Sequence, residues 1–293
     1  VPPRVTVIIP TYNWSSVLPY SIGSVLRQTF RDFELIVAGD GCTDDSERVV
    51  AAIGDPRVRW INLPENTRHQ SGPNNEALRQ ARGEIIAYLG HDDLWLPHHL
   101  AAHVAAYDAT ACDVAYSLCL LVGIDGSTFW PSIPKPDDGA FSPPTCMSHR
   151  RSMTEELGGW RDYRTIDVKA SVSPDVELWR RAKAAGRKFT FVPRLSGIKP
   201  PAGWRRDVYR TRPNHEQARW LERIDAEPDL ESTLLVNCIA AEEMPAGVTF
   251  RDLLRLVFKR MLNRIRRRSA IPPIARTKPA PGDIDRIRRF KGL

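Results

Sequence analysis

The sequence predicts an α/β domain built on a mostly parallel central sheet, and three observations predict it. Short β-branched runs alternate with helix-length segments through the first hundred residues. Three of the four runs lead directly into polar clusters, Thr11-Tyr12-Asn13, Asp40 and His91-Asp92-Asp93. The chain has 293 residues, 42% of them hydrophobic, enough to bury a core of that kind. Strands joined by helices lie parallel with helices on both faces, a three-layer α/β/α arrangement. Ligands of such sheets bind beyond the carboxyl ends of the strands, where the three polar clusters fall.

Residues 5–10 form the first strand. A helix over 15–28 follows, with Ser15 or Ser16 as its N-cap. The second strand, 33–38, closes on Gly39-Asp40-Gly41, and Thr43-Asp44-Asp45-Ser46 starts a helix with carboxylates at the positive end of its dipole. Val58–Asn62 is a third strand, 72–82 a helix and 84–89 a fourth strand. Pro97 sits in the first turn of the next helix. Residues 110–200 are less regular. They hold a loop rich in proline (Pro131, Pro134, Pro136, Pro143, Pro144), a helix over 176–185 ended by Gly186, and a strand over 189–192. After about residue 204 the pattern is helical and polar, broken at Pro213, Pro228 and Pro245.

Charge divides the chain. Residues 251–293 carry a net charge of +11 and residues 1–250 a net of −4, so the overall +7 belongs to the tail. A nucleic-acid enzyme carries positive charge across its working face, which makes nucleic acid an unlikely partner here. Within 250–265, Phe250, Leu253, Leu254, Val257, Phe258, Met261, Leu262 and Ile265 recur at helical spacing between arginines and a lysine. Three readings stand: residues 250–268 lie on an anionic membrane, the apolar face packs on the protein or on a second copy in a homo-oligomer, or Arg266-Arg267-Arg268 bind RNA. The rest of the tail is expected to be flexible. No run reaches the roughly 18 apolar residues of a membrane span, and no signal-peptide pattern precedes the first strand. Five cysteines, an odd number without a CxxC pair, argue against a disulfide framework or zinc site. The expected location is cytoplasmic, peripheral to the cytoplasmic face of the membrane. The divisions expected are 1–203 (a binding half 1–100 and a second half 101–203), a helical extension 204–249, and the basic helix and tail 250–293.

Asp92-Asp93 follows an apolar strand, and two adjacent acids repel unless a cation or hydrogen-bond donors compensate. Oxygen ligands at a strand end suit Mg2+ or Mn2+ bound together with substrate phosphates. An N-capping or solvent-facing pair is the alternative. Around this pair, Val-Thr-Val-Ile-Ile-Pro-Thr-Tyr-Asn at 5–13 resembles the opening of family 2 glycosyltransferases, which have the GT-A fold. Residues 32–37 followed by Asp40-Gly-Cys-Thr-Asp-Asp-Ser, and 81–89 leading to Asp92-Asp93, complete the resemblance in order. It is specific over 5–100, weaker over 145–195 and absent after about 204.

The resemblance implies a GT-A domain with a helical C-terminal extension and a metal-dependent, inverting transfer. A sugar would pass from a nucleotide-diphosphate donor to a hydroxyl of a glycan or lipid-linked acceptor, in cell-surface polysaccharide or glycolipid synthesis. It implies that Pro10, Thr11, Tyr12 and Asn13 embrace the nucleotide and that Asp40 bonds the base, which favours a UDP-sugar. Asn75 matches a substrate-contacting position. Asp93 matches a direct ligand of Mn2+ or Mg2+, with Asp92 beside it, close to ribose or sugar. Such an ion would neutralise the departing diphosphate.

The same resemblance makes Asp175, in Ser173-Pro174-Asp175-Val176-Glu177-Leu178-Trp179, the base that takes the acceptor proton. Read locally, Asp175 caps a helix. Trp160, after Gly158-Gly159, matches an aromatic near the acceptor that stacks on a sugar, or it is a core tryptophan. The chain departs from the family at Gly90 and Asn74, where Asp and Arg are usual, and at Pro174, where Glu is usual. Arg68, His69 or Gln70 could replace the missing Arg. A His usual after the last strand is absent, leaving Lys199 or Trp204-Arg205 to serve the diphosphate. The rival readings are a catalytically silent binding or scaffold protein of this fold and a nucleotidyltransferase. The absence of a Gly-rich, Lys/Arg-bearing loop near the first strand counts against the latter.

Overall fold

In the computed structural model, which describes residues 1–123, 128–129, 142–162, 165–166, 173–200, 206–243 and 289–292, alternating strands and helices build one nine-stranded sheet. The elements are β1 (Val5–Thr11), α1 (Leu18–Leu26), β2 (Phe33–Gly39), α2 (Ser46–Ala51), β3 (Val58–Asn62), α3 (Ser71–Gln80), β4 (Ile85–Tyr88), β5 (Leu94–Trp95) and α4 (His99–Ala109). There follow β6 (Val114–Val122), β7 (Thr128–Phe129), β8 (Met147–Arg150), α5 (Arg151–Leu157), α6 (Pro174–Ala184), β9 (Phe189–Lys199), α7 (Val208–Thr211), α8 (His215–Ala226) and α9 (Leu230–Glu243).

The strand order is β3-β2-β1-β4-β8-β6-β9-β5, with β7 added on β6. β1 pairs in parallel with β2 and β4, and β2 with β3. The order reverses at β1, because the chain moves outward to β3 before returning to β4 on the other side. A crevice opens at such a switch point. β8 runs antiparallel between β4 and β6, and β9 is again parallel to β6, so the sheet is mixed.

Period-two alternation sorts β1 between two faces. Val5, Val7 and Ile9 join Leu18, Ile22, Val25, Leu100 and Val104 of α1 and α4. Ile8 faces the other way, with Ala77 of α3 and Leu178 and Trp179 of α6. Burying each such Leu or Ile contributes about 1.5–3 kcal/mol, so the sequence pattern alone fixes the layering. The helices α8 and α9 add Trp220, Ile224, Leu230 and Leu234 to a third cluster with Leu94, Leu118, Leu195 and Ile198.

Differences from expectation have local causes. The first helix begins at Leu18 with Pro19 in its first turn, and neither Ser15 nor Ser16 caps it. The Ser15 amide instead donates to Asp44 Oδ2 at 2.9 Å, and Ser16 Oγ donates to the Arg212 carbonyl at 3.3 Å. The strand expected over 189–192 continues to Lys199 in spite of Pro193. Its register on β6 jumps from Ser117↔Val192 to Leu118↔Leu195, so Pro193 and Arg194 are extruded and no ladder bond is lost to the proline. Arg194 is anchored on Glu231 at 2.5 Å. The strands β5, β6, β7 and β8 were not expected. The basic helix over 250–265, Trp204-Arg205 and most of the Pro-rich loop lie outside the described residues.

One buried carboxylate ties the sheet to the loop before β4. Glu34, 2% exposed, accepts from Thr6 Oγ1 at 2.7 Å and from the Arg82 amide and Nε, both at 2.8 Å. Burial pushes its pKa up, but the bonds from Arg82 and Thr6 outweigh that, and the carboxyl is held below its ordinary 4.5. A depressed folded-state pKa stabilises above the unfolded value and is lost as pH falls through the folded value. Glu34→Gln should cost about 1–3 kcal/mol at neutral pH. It should also flatten the decline of the melting midpoint below pH 4.5, as read by scanning calorimetry across pH.

Candidate functional site

The carboxyl ends of β1, β2, β4 and β9 meet at one cleft of about 230 Å3. Its wall includes Pro10, Thr11 and Tyr12 from β1 and the residue after it, Asp40 after β2, Gly90, His91 and Asp92 after β4, and Lys199 at the end of β9. Arg68, His69, Gln70 and Pro73 close one side at the entry to α3, and Tyr209 of α7 closes another.

Asp40 shapes the side wall. Its Oδ1 accepts from the Thr67 amide and hydroxyl at 2.8 and 2.7 Å, and Oδ2 accepts from the Arg68 amide at 3.2 Å. Arg68 sits at φ 71° there. Gly41, at φ 69°, has no room for a side chain, since a Cβ would lie 2.5 Å from the Asn66 amide. Asn13 does not line the cleft. At φ 44°, it uses its amide oxygen to accept from the Thr43 and Asp44 amides at 2.7 and 3.2 Å, fixing the turn after β2.

His91 is 8% exposed, bonded through Nδ1 to Thr11 Oγ1 at 3.1 Å, and set edge-on to Trp14 with ring centroids 5.3 Å apart. Burial lowers its pKa from the ordinary imidazole value. Tyr209 approaches Tyr12 with ring centroids 6.4 Å apart, so two aromatic rings flank this end of the cleft. Tyr209 lies beyond the last residue that resembles the family, and no signal in the sequence pointed to it.

The acidic pair separates. Asp92 stands on the cleft wall, whereas Asp93 lies behind it with no exposed surface. Lys199 Nζ lies 2.8 and 3.0 Å from the two Asp93 oxygens, and Thr145 donates to Oδ2. Burial opposes the charge on Lys199, but Asp93 and Asp92 outweigh it and hold the ammonium well above its ordinary pKa. Burial likewise opposes ionisation of Asp92, yet Lys199 and His91 keep its carboxyl below 3.8. Lys291, in the described turn 289–292, adds to that field. This turn docks on α7, where the Asp207 amide donates to the Phe290 carbonyl at 2.7 Å.

A divalent ion of the Mg2+ type takes several oxygen ligands. Here both Asp93 oxygens are buried and engaged by Lys199 and Thr145, and Gly90 offers no side chain: a Cβ there would lie 2.5 Å from Asp93 Oδ2. Among the described residues no group of three His, Cys, Asp or Glu converges. As arranged, the residues do not fit such an ion.

Asn75 and Trp160 are brought together away from the cleft wall. The Asn75 amide donates to the Trp160 carbonyl and accepts from the Trp160 amide, both at 2.8 Å. Trp160 is 3% exposed and packs edge-on against Tyr88 at 5.0 Å. Asp175 stands in the first turn of α6, with Oδ1 buried and without a hydrogen-bond partner among the described residues. Two residues on, Glu177 holds Arg161 at 3.2 Å, and the neighbouring Asp162 holds His69 of the cleft wall at 3.2 Å. That chain of contacts links the start of α6 to the cleft. Asn74 is buried at 1% exposure, while Arg68, His69 and Gln70, the substitutes suggested for the missing Arg, all reach the cleft.

Comparison with known proteins agrees with this fold. Residues 6–161 match the family model described as Glycosyl transferase family 2. The putative glycosyltransferase EpsE of Bacillus subtilis (strain 168) is 31% identical over 189 residues, 61% of this chain and 66% of EpsE. The UDP-Glc:alpha-D-GlcNAc-diphosphoundecaprenol beta-1,3-glucosyltransferase WfgD of Escherichia coli is 34% identical over 101 residues, 34% of this chain and 40% of WfgD. The matched region therefore spans less than two thirds of either relative. The fold resembles S. aureus TarS 1-349 in complex with UDP-GlcNAc, with a TM-score of 0.57 at 19% identity, covering 80% of this chain and 70% of that one. It also resembles the mannosyltransferase PcManGT from Pyrobaculum calidifontis in complex with GDP-Man and Mn2+, with a TM-score of 0.54 at 18% identity, covering 89% and 81%.

Proposed function

Because the chain belongs to glycosyl transferase family 2, we propose that it moves a sugar, with inversion, from a nucleoside-diphosphate sugar to a hydroxyl of a glycan or lipid-linked acceptor. The observation that carries this reading is the convergence of Pro10–Tyr12, Asp40 and Gly90–Asp92 on one strand-end cleft. Tyr12 and Tyr209 offer ring faces to a nucleotide base. Asp40 Oδ2 accepts one bond within the protein and keeps capacity for a base N–H, which favours uracil. Asp92 faces the ribose or sugar.

The chemistry then follows from the cleft and from Asp175, which is not among the lining residues but stands on the helix that Glu177, Arg161, Asp162 and His69 connect to the cleft wall. Asp175 takes the proton of the acceptor hydroxyl as its oxygen bonds to the anomeric carbon. The bond from that carbon to the diphosphate breaks, and the electron pair leaves with the phosphate oxygen. A cation must meet the charge that develops there. The expected Mn2+ or Mg2+ would fall to Asp93 and Asp92, and it would have to expel Lys199 first. The relation to WfgD, whose name specifies a diphosphoundecaprenol-linked substrate, supports an acceptor at a membrane surface and a role in polysaccharide or glycolipid synthesis. Residues 250–268 would hold the enzyme there. Among the described residues no helix is long and apolar enough to cross a membrane.

Thermal shift with UDP-, GDP- and dTDP-sugars tests the donor. One nucleotide class should raise the melting midpoint, by the equivalent of about 2.7 kcal/mol at a hundredfold excess over Kd. Product analysis should find a nucleoside diphosphate. Pyrophosphate release, or no shift with any donor, would sink the proposal.

A further inference from the structure

We propose that Lys199 takes the place of a divalent cation: its ammonium, seated on Asp93, is the positive charge that receives the donor's diphosphate, and binding and transfer need no Mn2+ or Mg2+. This inference rests on the donor reading above and concerns how the same cleft neutralises its ligand.

The geometry points this way from both partners of the ion pair. Lys199 is on the cleft wall with 39% of its side chain exposed, while Asp93 behind it is 0% exposed. What the cleft presents is therefore the cation, with the carboxylate as its support. The two Nζ distances of 2.8 and 3.0 Å engage both Asp93 oxygens, and Thr145 adds a third bond to Oδ2. A metal reaching Asp93 would have to displace the ammonium and then share the site with it, two positive charges within a few ångströms. Nor can a second carboxylate enter from Gly90, where a Cβ would lie 2.5 Å from Asp93 Oδ2.

The fold also holds Lys199 in place. The extrusion of Pro193 and Arg194 lets β9 keep its pairing on β6 through Leu121↔Lys199. Glu231 pins the extruded turn by accepting from the Leu195 amide at 2.9 Å as well as from Arg194. Gly197 lies so close to the turn carrying Thr145 that a Cβ would stand 2.3 Å from Cys146 Sγ. The last turn of this strand is thus braced on both sides, two residues before its lysine. Asp92 stands on the same wall, and the charge of Lys199 acts on it more strongly than that of Lys291. An ammonium preorganised in this way supplies charge to a leaving diphosphate without reorganisation at the moment of reaction.

Calorimetric titration separates the possibilities, with UDP, GDP and dTDP and their parent nucleosides as probes, in EDTA and in Mn2+. For the nucleotide class that binds, wild type should bind the diphosphate in EDTA within about threefold of its affinity in Mn2+, a difference below 1 kcal/mol. Lys199→Ala should weaken diphosphate binding in EDTA by about tenfold or more and leave nucleoside binding unchanged. Because Lys199→Ala strands a buried carboxylate, the double variant Asp93→Asn/Lys199→Gln, which removes both charges, should show the same selective loss. The wild-type comparison needs no variant at all. Diphosphate binding that appears only with Mn2+, or that survives both substitutions, overturns the inference and leaves the donor reading standing. If no nucleotide binds in either buffer, both fall.

Discussion

Asp175→Asn is expected to lower the turnover of sugar transfer by about 10²–10⁴-fold, the range a positioned general base supplies. The affinity for the nucleotide should stay within about threefold, since the change removes a step and not a donor contact. Asp175 follows Pro174 in the first turn of α6, and its buried Oδ1 has no hydrogen-bond partner among the described residues. A carboxylate oxygen held out of water without a donor is costly unless something else approaches it in use. An acceptor hydroxyl is such a group. The competing view, in which Asp175 merely favours the start of α6, predicts a different pair of results: a stability loss of about 0.3–1 kcal/mol and unchanged turnover. Initial rates with the donor found by thermal shift, together with nucleotide affinity by calorimetry, decide between them. Glu177 is the useful control. It ties α6 to Arg161 at 3.2 Å and pairs within the helix with Arg181 at 3.0 Å, so Glu177→Gln should loosen the helix and melt the protein earlier without abolishing chemistry in proportion.

What could be read from the sequence was what is encoded locally. β1, β2, β3 and β4 are β-branched runs with polar residues at their ends, and their positions, together with Pro10–Tyr12, Asp40 and Asp92, were legible. β6 was not. Its continuous apolar stretch, Val-Ala-Tyr-Ser-Leu-Cys-Leu-Leu-Val, is buried on both faces and lacks the alternation that distinguishes a strand from a buried helix. β8 reads Met-Ser-His-Arg and has no apolar signature at all. It is a strand because distant residues satisfy its polar groups: His103 meets Ser148 at 2.7 Å, and Tyr88 meets His149 at 2.9 Å.

The same limit applies to the site. That Asp93 faces Lys199 depends on two register jumps, between Ser117 and Leu118 and between Leu118 and Cys119, which no pattern around Lys199 records. Tyr209 reaches the cleft from α7, whose sequence carries no motif. A side chain's position along a strand is a local property; which way the chain turns its carboxylate is settled by partners a hundred residues away.

Trp160→Ala is expected to cost about 3–5 kcal/mol of stability, the loss typical of a buried tryptophan, and this is the second large effect the structure predicts. The residue was a candidate for stacking on a sugar, but only 3% of it is exposed and it fills the cluster with Tyr88, Met153, Leu178 and Trp179. Its backbone is clamped as well. Asn75 bonds both its amide and its carbonyl, and Arg181 donates to the carbonyls of Gly158 and Gly159 at 2.8 and 2.6 Å. Gly159 is required by this clamp, because a Cβ would come within 2.3 Å of Asn75 Oδ1. The turn carries Arg161 to Glu177, so collapse at Trp160 should reach the start of α6 and lower turnover through the placement of Asp175. Denaturant unfolding of Trp160→Ala and Trp160→Phe separates the roles. A core residue gives a large loss for Ala, a smaller one for Phe, and activity that follows the folded fraction and the placement of α6. A sugar platform would instead leave the unfolding midpoint unchanged and raise KM for the acceptor, with kcat held. The packing against Tyr88 argues for the first outcome, in which Trp160 belongs to the scaffold that carries the start of α6.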